Sequence, residues 1–246
     1  MADKIKLSER IKSFRQTVGR DYDRPSPDKL QGLIKALWEN PDAVKYLLYE
    51  RNLAESTVRH FQLGFDTSRN AISIPIFKDG VLCNIKYRFL GENEQRYDGE
   101  VNAEMWLFNE AGVGEARKKG AILVVEGEFD CMAAWQGGIK NVVSTSGGKD
   151  SFGIWLEQID SIPKIYIAFD NDDGGKASAR KLAERLGPDR CLDINYQDCK
   201  DANEFLTKHI FSSQEHSLKG GKGISPNSLR TCQNASLSWT MLFKER

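Results

Sequence analysis

Two short apolar runs of this chain each lead directly into carboxylates. Residues 122–125 precede Glu126, and residues 165–169 precede Asp170 and Asp172. Runs of four or five buried-type residues have the length of central strands in a parallel sheet, and ligand sites of α/β proteins lie where such strands end. Residues two apart in an extended strand point the same way, so Asp170 and Asp172 can share one cation, with Glu126 reaching in from the neighbouring strand. Oxygen ligands favour magnesium or manganese over zinc, so the pattern predicts an acidic metal site.

Each motif taken by itself also fits a purely structural interpretation. Glu126 or Asp130 near a helix start can be a cap or a partner of the helix dipole. Asp170 and Asp172 followed by glycines also fit a plain turn. Together the acids are less ambiguous, because several carboxylates at one edge of a sheet repel each other unless a cation neutralises them. Asp173 is one residue out of phase with the metal pair, so we predict that it caps the following helix.

The residues before these motifs predict helices and then a hairpin. Apolar side chains recur with a helical period over residues 30–38, and Asn40 ends that helix and starts the next. Residues 55–61 predict a further helix, which we expect Gly64 to end. Two strands then flank residues 78–80, Lys-Asp-Gly, which is a strong turn signal.

From Gly120 onwards the pattern alternates between strand and helix. The predicted strands are residues 122–125, 142–144 and 165–169. The predicted helices are centred on residues 132–135, 154–159 and 176–186. This alternation predicts an α/β fold with a parallel sheet covered by helices on both faces. The helices and hairpin upstream predict a small α+β subdomain that precedes the sheet.

Two of the acidic motifs resemble the signatures of the TOPRIM domain, which is shared by DnaG-type bacterial primases, phage primase-helicases, topoisomerases and certain nucleases. The first signature is a glutamate at a strand end, a glycine and an acid four residues after the glutamate, here Glu126 and Asp130. The second is Asp-x-Asp followed by glycine, here Asp170 and Asp172. A third motif, around Asp201, resembles the Lys-Asp-x-Asn-Glu sequence that closes the primase version, where the aspartate is a further metal-site acid.

The upstream segments are similar to the primase branch of this family. Residues 46–65 resemble the helical segment that opens the primase polymerase core, and residues 72–88 resemble its small β subdomain. The likeness covers residues 41–211 and is closest to phage-type and Twinkle-like primase regions. We therefore expect an N-terminal extension, a helical and β subdomain of the primase core, a TOPRIM catalytic domain and a flexible tail, at residues 1–27, 28–118, 119–211 and 212–246.

The resemblance implies an RNA polymerase of the primase type, which makes short RNA primers on single-stranded DNA from ribonucleoside triphosphates. Glu126 would ligate the metal or act as the general base, and Asp130 would support the site. Magnesium or manganese would be held against the triphosphate by the remaining acids, Asp170, Asp172 and Asp201. Since phage relatives are often fused to a helicase and this sequence contains no Walker A motif, a replicative helicase is a further expected partner.

The basic candidates are less specific than the acids. Lys86 and Arg88 alternate on one face of a strand, which suits contacts to template or nucleotide phosphates, as in the matching primase subdomain. The same pair also fits a solvated strand face. Lys149 follows a strand and two glycines and could offer an ammonium to phosphate, although Asp150 stands where a Walker loop would have Ser or Thr.

Two other functions stay open at this point. The same acids could activate water and cut a strand, which would make the protein a metal-dependent TOPRIM nuclease. The chain could also be a non-catalytic nucleic-acid-binding module of a replisome. The upstream segments favour the primase, because TOPRIM nucleases do not share that helical and β subdomain.

Net charge, cysteine content and the lengths of apolar stretches limit the partners and the cellular setting that we expect. The 246 residues include 35 basic and 35 acidic side chains, so the formal net charge is zero and any nucleic-acid surface must be local. The five cysteines include no C-x-x-C pair, which predicts no zinc ribbon and a reducing, cytoplasmic setting. No stretch approaches the ~20 apolar residues that span a bilayer, so we expect no membrane partner.

Overall fold

The computed structural model of the chain describes residues 21–91, 96–145, 155–194, 199 and 201–206. Most of the predicted N-terminal extension, the predicted phosphate contact Lys149 and the predicted tail lie outside the described residues. Among the described helices, none combines the length and apolarity that would let it cross a membrane.

Helical segments open the described chain: α1 (Pro27–Trp38), α2 (Pro41–Lys45), a π-helical turn (Tyr46–Glu50) and α3 (Glu55–His60). Asn40 begins α2 as predicted, because its side-chain oxygen accepts a hydrogen bond from the Ala43 N–H at 2.9 Å. Leu30, Leu33 and Leu37 are the buried face of α1, which confirms the helical period of that segment.

The prediction that Gly64 ends α3 is wrong. The chain reverses at Gln62, whose φ is 53°, and Gly64 already belongs to the first strand. Its small size serves packing instead, since a Cβ there would lie 2.8 Å from Leu33 Cβ. Gly64 therefore allows a strand to approach α1 closely.

The first sheet is antiparallel and has the order β1 (Gly64–Asp66), β2 (Ala71–Lys78), β3 (Val81–Phe89) and β4 (Tyr97–Gly99). The predicted hairpin is confirmed, because Asp79 and Gly80 connect β2 and β3 with φ angles of 51° and 76°. Positive φ at both central residues is the signature of a type I′ turn. On β3, Lys86 and Arg88 lie opposite β4 residues Gly99 and Tyr97.

The second sheet is parallel and has the spatial order β6-β5-β7-β8. Its strands are β5 (Ala121–Val125), β6 (Val142–Ser144), β7 (Lys164–Ala168) and β8 (Cys191–Asp193). Helices α4 (Ala111–Lys119), α5 (Glu128–Gln136), α6 (Leu156–Ile159), α7 (Asp173–Leu186) and α8 (Ala202–Leu206) flank it. The predicted α/β class and the parallel sheet are confirmed.

Strand register brings the two predicted acidic motifs to one edge of the parallel sheet. The central strands β5 and β7 are paired so that Val125 lies opposite Ala168. Glu126 follows the first of these residues, and Asp170 follows the second after one more apolar residue. Both carboxylates therefore emerge at the carboxyl ends of neighbouring strands.

Two glycines permit the turns from these strands into their helices. A Cβ at Gly175, in the first turn of α7, would overlap the backbone carbonyl oxygen of Asp170. A Cβ at Gly127, before α5, would lie 2.8 Å from a carboxylate oxygen of Asp130. The glycines of both motifs are thus required by the close approach of the acids themselves.

Gln136 joins the parallel sheet to the N-terminal helices. Its Oε1 accepts hydrogen bonds from the Ala54 N–H at 2.6 Å and the Thr57 hydroxyl at 2.9 Å, and its Nε2 donates to the Asn52 carbonyl at 3.0 Å. Helix α3 has no capping side chain of its own at Ala54. The carboxamide of Gln136, from the end of α5, therefore serves as an external cap.

Gln136→Ala should lower the free energy of unfolding by about 2 kcal/mol, because it leaves three partly buried polar groups without partners. Urea denaturation followed by circular dichroism measures the change. Gln31→Ala, on the exposed face of α1, is the control and should change the value by less than about 0.5 kcal/mol. Equal effects of the two substitutions would contradict the capping role.

Gly175→Ala should destabilise the fold by about 2 kcal/mol or more, because the methyl group has no room beside the Asp170 backbone. Gly32→Ala is the matched control: nothing lies within 4 Å of a Cβ at this exposed helical position, so alanine should stabilise by about 0.5–1 kcal/mol. Thermal unfolding of both variants measures these changes in stability. A Gly175→Ala chain as stable as the parent would show that the turn tolerates a side chain.

Candidate active site

A cavity of about 470 Å³ lies where β3 and β4 face the carboxyl edge of the parallel sheet. The acids that line it are Glu126, Glu128, Asp130, Asp170 and Asp201, together with Asp98 on β4. The bases that line it are Arg51, Lys86, Arg88 and Arg96. The structure therefore gathers most of the predicted site residues around one space, in which acidic and basic side chains are neighbours.

Two of the acids hold the N-terminus of α8. The Asp130 carboxylate accepts a hydrogen bond from the Asn203 N–H at 2.9 Å, and Asp201 accepts one from the Glu204 N–H at 2.8 Å. Asp130 comes from the first turn of α5, whereas Asp201 immediately precedes α8. The closing motif, although it lies 73 residues further along the chain than Asp130, is thus bound to the first motif directly.

The electrostatics of Asp130 show how closely the acids are packed. Burial and, after it, the neighbouring carboxylates of Asp201 and Asp170 together raise the pKa of Asp130 to about 8, against the opposing effects of the Asn203 N–H and of Arg51. Only 9% of the residue is exposed. A cation placed among these groups would favour the ionised form of Asp130 against both its burial and the carboxylate repulsion.

Glu126 offers a buried acceptor to the cavity. Its Oε2 is buried and has no hydrogen-bond partner among the described residues. The Ser144 hydroxyl donates to the backbone carbonyl of Glu126 at 3.0 Å, and so fixes the chain at this point. An unpaired buried carboxylate oxygen is costly unless a ligand such as a metal ion completes it.

The donor set fits a hard divalent cation. The neighbouring ligands are all carboxylates, which suit magnesium or manganese. In the described part of the chain, no three His, Cys, Asp or Glu side chains already converge as a closed ion site. Binding would therefore have to draw Glu126, Asp170 and Asp201 together while displacing the proton of Asp130.

Asp172 lies apart from the other predicted ligands. It is exposed and is not in the wall of the cavity. Its Oδ1 accepts a hydrogen bond from the Gly175 N–H at 2.7 Å, which makes it the N-cap of α7. The prediction that Asp173 caps this helix is wrong, because Asp173 is the first helical residue. A metal role for Asp172 stays a prediction and would have to use its second oxygen.

Lys86 is not part of a solvated strand face. It is 8% exposed, and its Nζ lies 2.5 Å from Glu128 Oε1. The Arg88 guanidinium donates through Nη1 to the Arg96 carbonyl at 3.2 Å. Its centre lies 5.2 Å from the Tyr97 ring centroid. Both predicted cations thus face the cavity, as the phosphate-binding hypothesis requires.

Arg51 and Glu128 are site residues that the sequence did not reveal. Arg51 follows the π-helical turn. Its Nε donates to the Tyr46 hydroxyl at 2.7 Å, and its guanidinium lies 4.6 Å from the Phe129 ring centroid. No motif marks this arginine, since its place depends on tertiary contacts. Glu128 carried one usable signal, because it stands two residues after Glu126.

Within the described part of the chain, the cavity wall contains unpartnered buried atoms of both kinds. Glu126 Oε2 is an acceptor, whereas Arg88 Nε and Asn203 Nδ2 are donors. The acceptor suits a cation, and the donors suit the oxygens of an anion. A ligand that carries a divalent cation on phosphate oxygens would satisfy all three atoms.

Part of the chain is similar in sequence to known proteins. Residues 123–206 match the family model described as Toprim-like. A primase homolog protein of Arabidopsis thaliana is 30% identical over 172 residues, which cover 60% of this chain and 48% of that protein. The Arabidopsis Twinkle homolog protein, chloroplastic/mitochondrial, is 28% identical over 172 residues, which cover 60% of this chain and 23% of that protein. The chain thus spans less than half the length of these relatives.

Solved structures share the fold. The zinc-binding and RNA polymerase domains of Aquifex aeolicus primase superpose with a TM-score of 0.65 at 17% identity, covering 90% of this chain and 63% of that one. The E. coli primase catalytic core gives a TM-score of 0.61 at 18% identity, covering 78% and 77%. The chain therefore has the fold of these primase catalytic cores, and its residues 123–206 are similar to the Toprim-like family.

Proposed function

We propose that this chain is the catalytic core of a primase, which joins ribonucleotides into short RNA primers on single-stranded DNA. The observation that carries the proposal is that acidic and basic side chains line one cavity, with unpartnered buried atoms that match a metal-bound triphosphate. The homology to DNA primases supports the same reaction class.

The acids and bases of the cavity would divide the reaction between them. Glu126 would accept the proton of the attacking 3′ hydroxyl or bind the metal, with Asp170 and Asp201 as further ligands. When bound, magnesium or manganese would stabilise charge on the phosphate oxygens. Lys86 and Arg88 would contact the triphosphate as pyrophosphate leaves.

The template and other partners belong to the same proposal. A solved DnaG primase catalytic domain of this fold is described as bound to single-stranded DNA. The likeness to a Twinkle homolog supports a replicative helicase as a partner of this chain. Because the net charge is zero, the template would bind through the basic side chains at the cavity rather than through a global positive field.

Asp130→Asn should stabilise the metal-free protein, and more so at pH 8 than at pH 5. Asp130 has a pKa raised to about 8 in the folded chain, whereas an unfolded aspartate titrates near pH ~4. The folded wild type therefore loses stability as the pH rises from about 4 to about 8, and Asn removes that loss. We expect a gain on the order of 1–3 kcal/mol at pH 8.

Urea unfolding in the presence of a chelator measures this gain. Asp173→Asn, at an exposed acid outside the cavity, is the matched control and should show no such pH dependence. Magnesium should narrow the difference in unfolding free energy between wild type and Asp130→Asn, because the additional carboxylate of the wild type attracts the cation and so gives it the larger stabilisation by binding. A gain independent of both pH and magnesium would contradict the electrostatic account.

Primer synthesis is tested by incubating the chain with single-stranded DNA, labelled ribonucleotides and magnesium or manganese. We expect short labelled RNA products, reduced about 100-fold or more by Asp170→Asn.

Asp172→Asn separates a metal-binding role of Asp172 from its capping role, because asparagine caps a helix as well as aspartate does. It should keep the fold and lose activity if Asp172 binds metal, and should lose little if Asp172 is only a cap.

The same gel reports the competing functions. Shortened template strands in place of RNA products would identify a nuclease and overturn the primase proposal. Full activity in Asp170→Asn would overturn the assignment of the metal site.

A further inference from the structure

We propose that Glu128 is a positioning residue, whose buried carboxylate fixes the ammonium of Lys86 at the cavity wall so that it meets nucleotide phosphate. The inference rests on the proposed function, since its ligand is a metal-bound nucleoside triphosphate. It assigns to Glu128 a task separate from that of the metal-binding acids.

Burial and distance define the pair. Glu128 is 1% exposed, and the side chain of Lys86 is 10% exposed. Their charged atoms are 2.5 Å apart, although the residues are separated by 42 positions in the sequence. Glu128 is the first residue of α5, and Lys86 is on β3. The ion pair therefore joins the antiparallel sheet to the acidic edge of the parallel sheet.

Stability alone does not account for such a pair. Removing two charges from water costs free energy, and their mutual attraction often does no more than offset that cost. Apolar residues of similar volume would stabilise the fold equally well. The pair stands in the wall of the cavity, where an ammonium has a use that an apolar group lacks. A buried cation at a fixed place is suited to binding phosphate oxygens without further reorganisation.

Tyr97 forms a second support for the same ammonium. Lys86 Nζ lies 5.0 Å from the Tyr97 ring centroid, within the range of a cation–π contact. The ammonium thus has the Glu128 carboxylate and an aromatic face as neighbours. Since Glu128 Oε1 is engaged by Lys86, we separate Glu128 from Glu126, whose Oε2 has no partner among the described residues.

A second ion pair on the same sheet gives a matched control. Lys78, at the end of β2, forms a short ion pair with Glu104, and its ammonium lies 4.3 Å from the Trp106 ring centroid. The Glu104 residue is 9% exposed. None of these three residues lines the cavity. Glu104→Gln therefore breaks a comparable pair away from the site.

The test measures the dissociation constant of magnesium-ATP by equilibrium binding to the full chain, with urea unfolding of every variant alongside. Glu128→Gln should weaken binding about tenfold, because the carboxamide accepts a weaker hydrogen bond than the carboxylate and no longer holds the ammonium of Lys86 at the cavity wall. Glu128→Ala should weaken it further if it folds. Glu104→Gln should leave the dissociation constant unchanged even where it lowers stability.

A double-mutant cycle shows whether Glu128 acts through Lys86. In the Lys86→Met background, Glu128→Gln should cause no additional loss of magnesium-ATP affinity. The magnesium concentration that half-saturates metal binding should stay the same in Glu128→Gln, because this acid is not a metal ligand.

The possible outcomes separate this inference from the proposed function. Weakened nucleotide binding in Glu128→Gln that disappears in the Lys86→Met background supports the positioning role, even if the wild type makes no primers. Three results would each overturn the positioning role of Glu128. These are wild-type affinity for magnesium-ATP in Glu128→Gln, an equal loss of affinity with and without Lys86→Met, and no magnesium-ATP binding by the wild type. Primer synthesis with unchanged affinity in Glu128→Gln would leave the proposed function standing and remove this inference alone.

Discussion

Repulsion among carboxylates at one edge of the parallel sheet is the constraint around which this structure is built. Asp130 is buried beside Asp201 and Asp170, and its pKa is raised in consequence. Natural folds seldom hold several acids in such proximity without a counter-charge, because the cost is greatest where water is excluded. The arrangement is consistent with a site whose stable state contains a bound cation, and under our proposal the basic side chains of the cavity would contact the anionic partner.

Several local features hold the acids in place despite this cost. Backbone N–H groups at the start of α8 donate to Asp130 and Asp201. Gly175 and Gly127 allow the strands to turn sharply beside Asp170 and Asp130. Basic side chains line the same cavity, and Lys86 forms an ion pair with Glu128. Local geometry and long-range charge therefore support the same site.

Much of this arrangement could be predicted from short-range patterns. The apolar runs before Glu126 and Asp170 correctly indicated neighbouring parallel strands, because burial on both faces leaves a continuous hydrophobic signature. Strand β6 was predicted although it has only three residues, because all three are buried. Strands β1, β4 and β8 are equally short but only partly buried, so they carry too little apolar pattern to be recognised. The position of Gly64 suggested a helix end, but close packing against α1 explains it instead.

The remaining details depend on contacts between distant residues. The pairing of Lys86 with Glu128 and the stacking of Arg51 on Phe129 have no local signature in the sequence.

The most direct test of whether the clustered acids form a cation site is calorimetric titration of magnesium into the metal-free chain at neutral pH, in two buffers of different ionisation enthalpy. The account predicts saturable binding with release of protons, since the cation displaces the proton of Asp130. Absence of saturable binding, or binding without proton release, would contradict it.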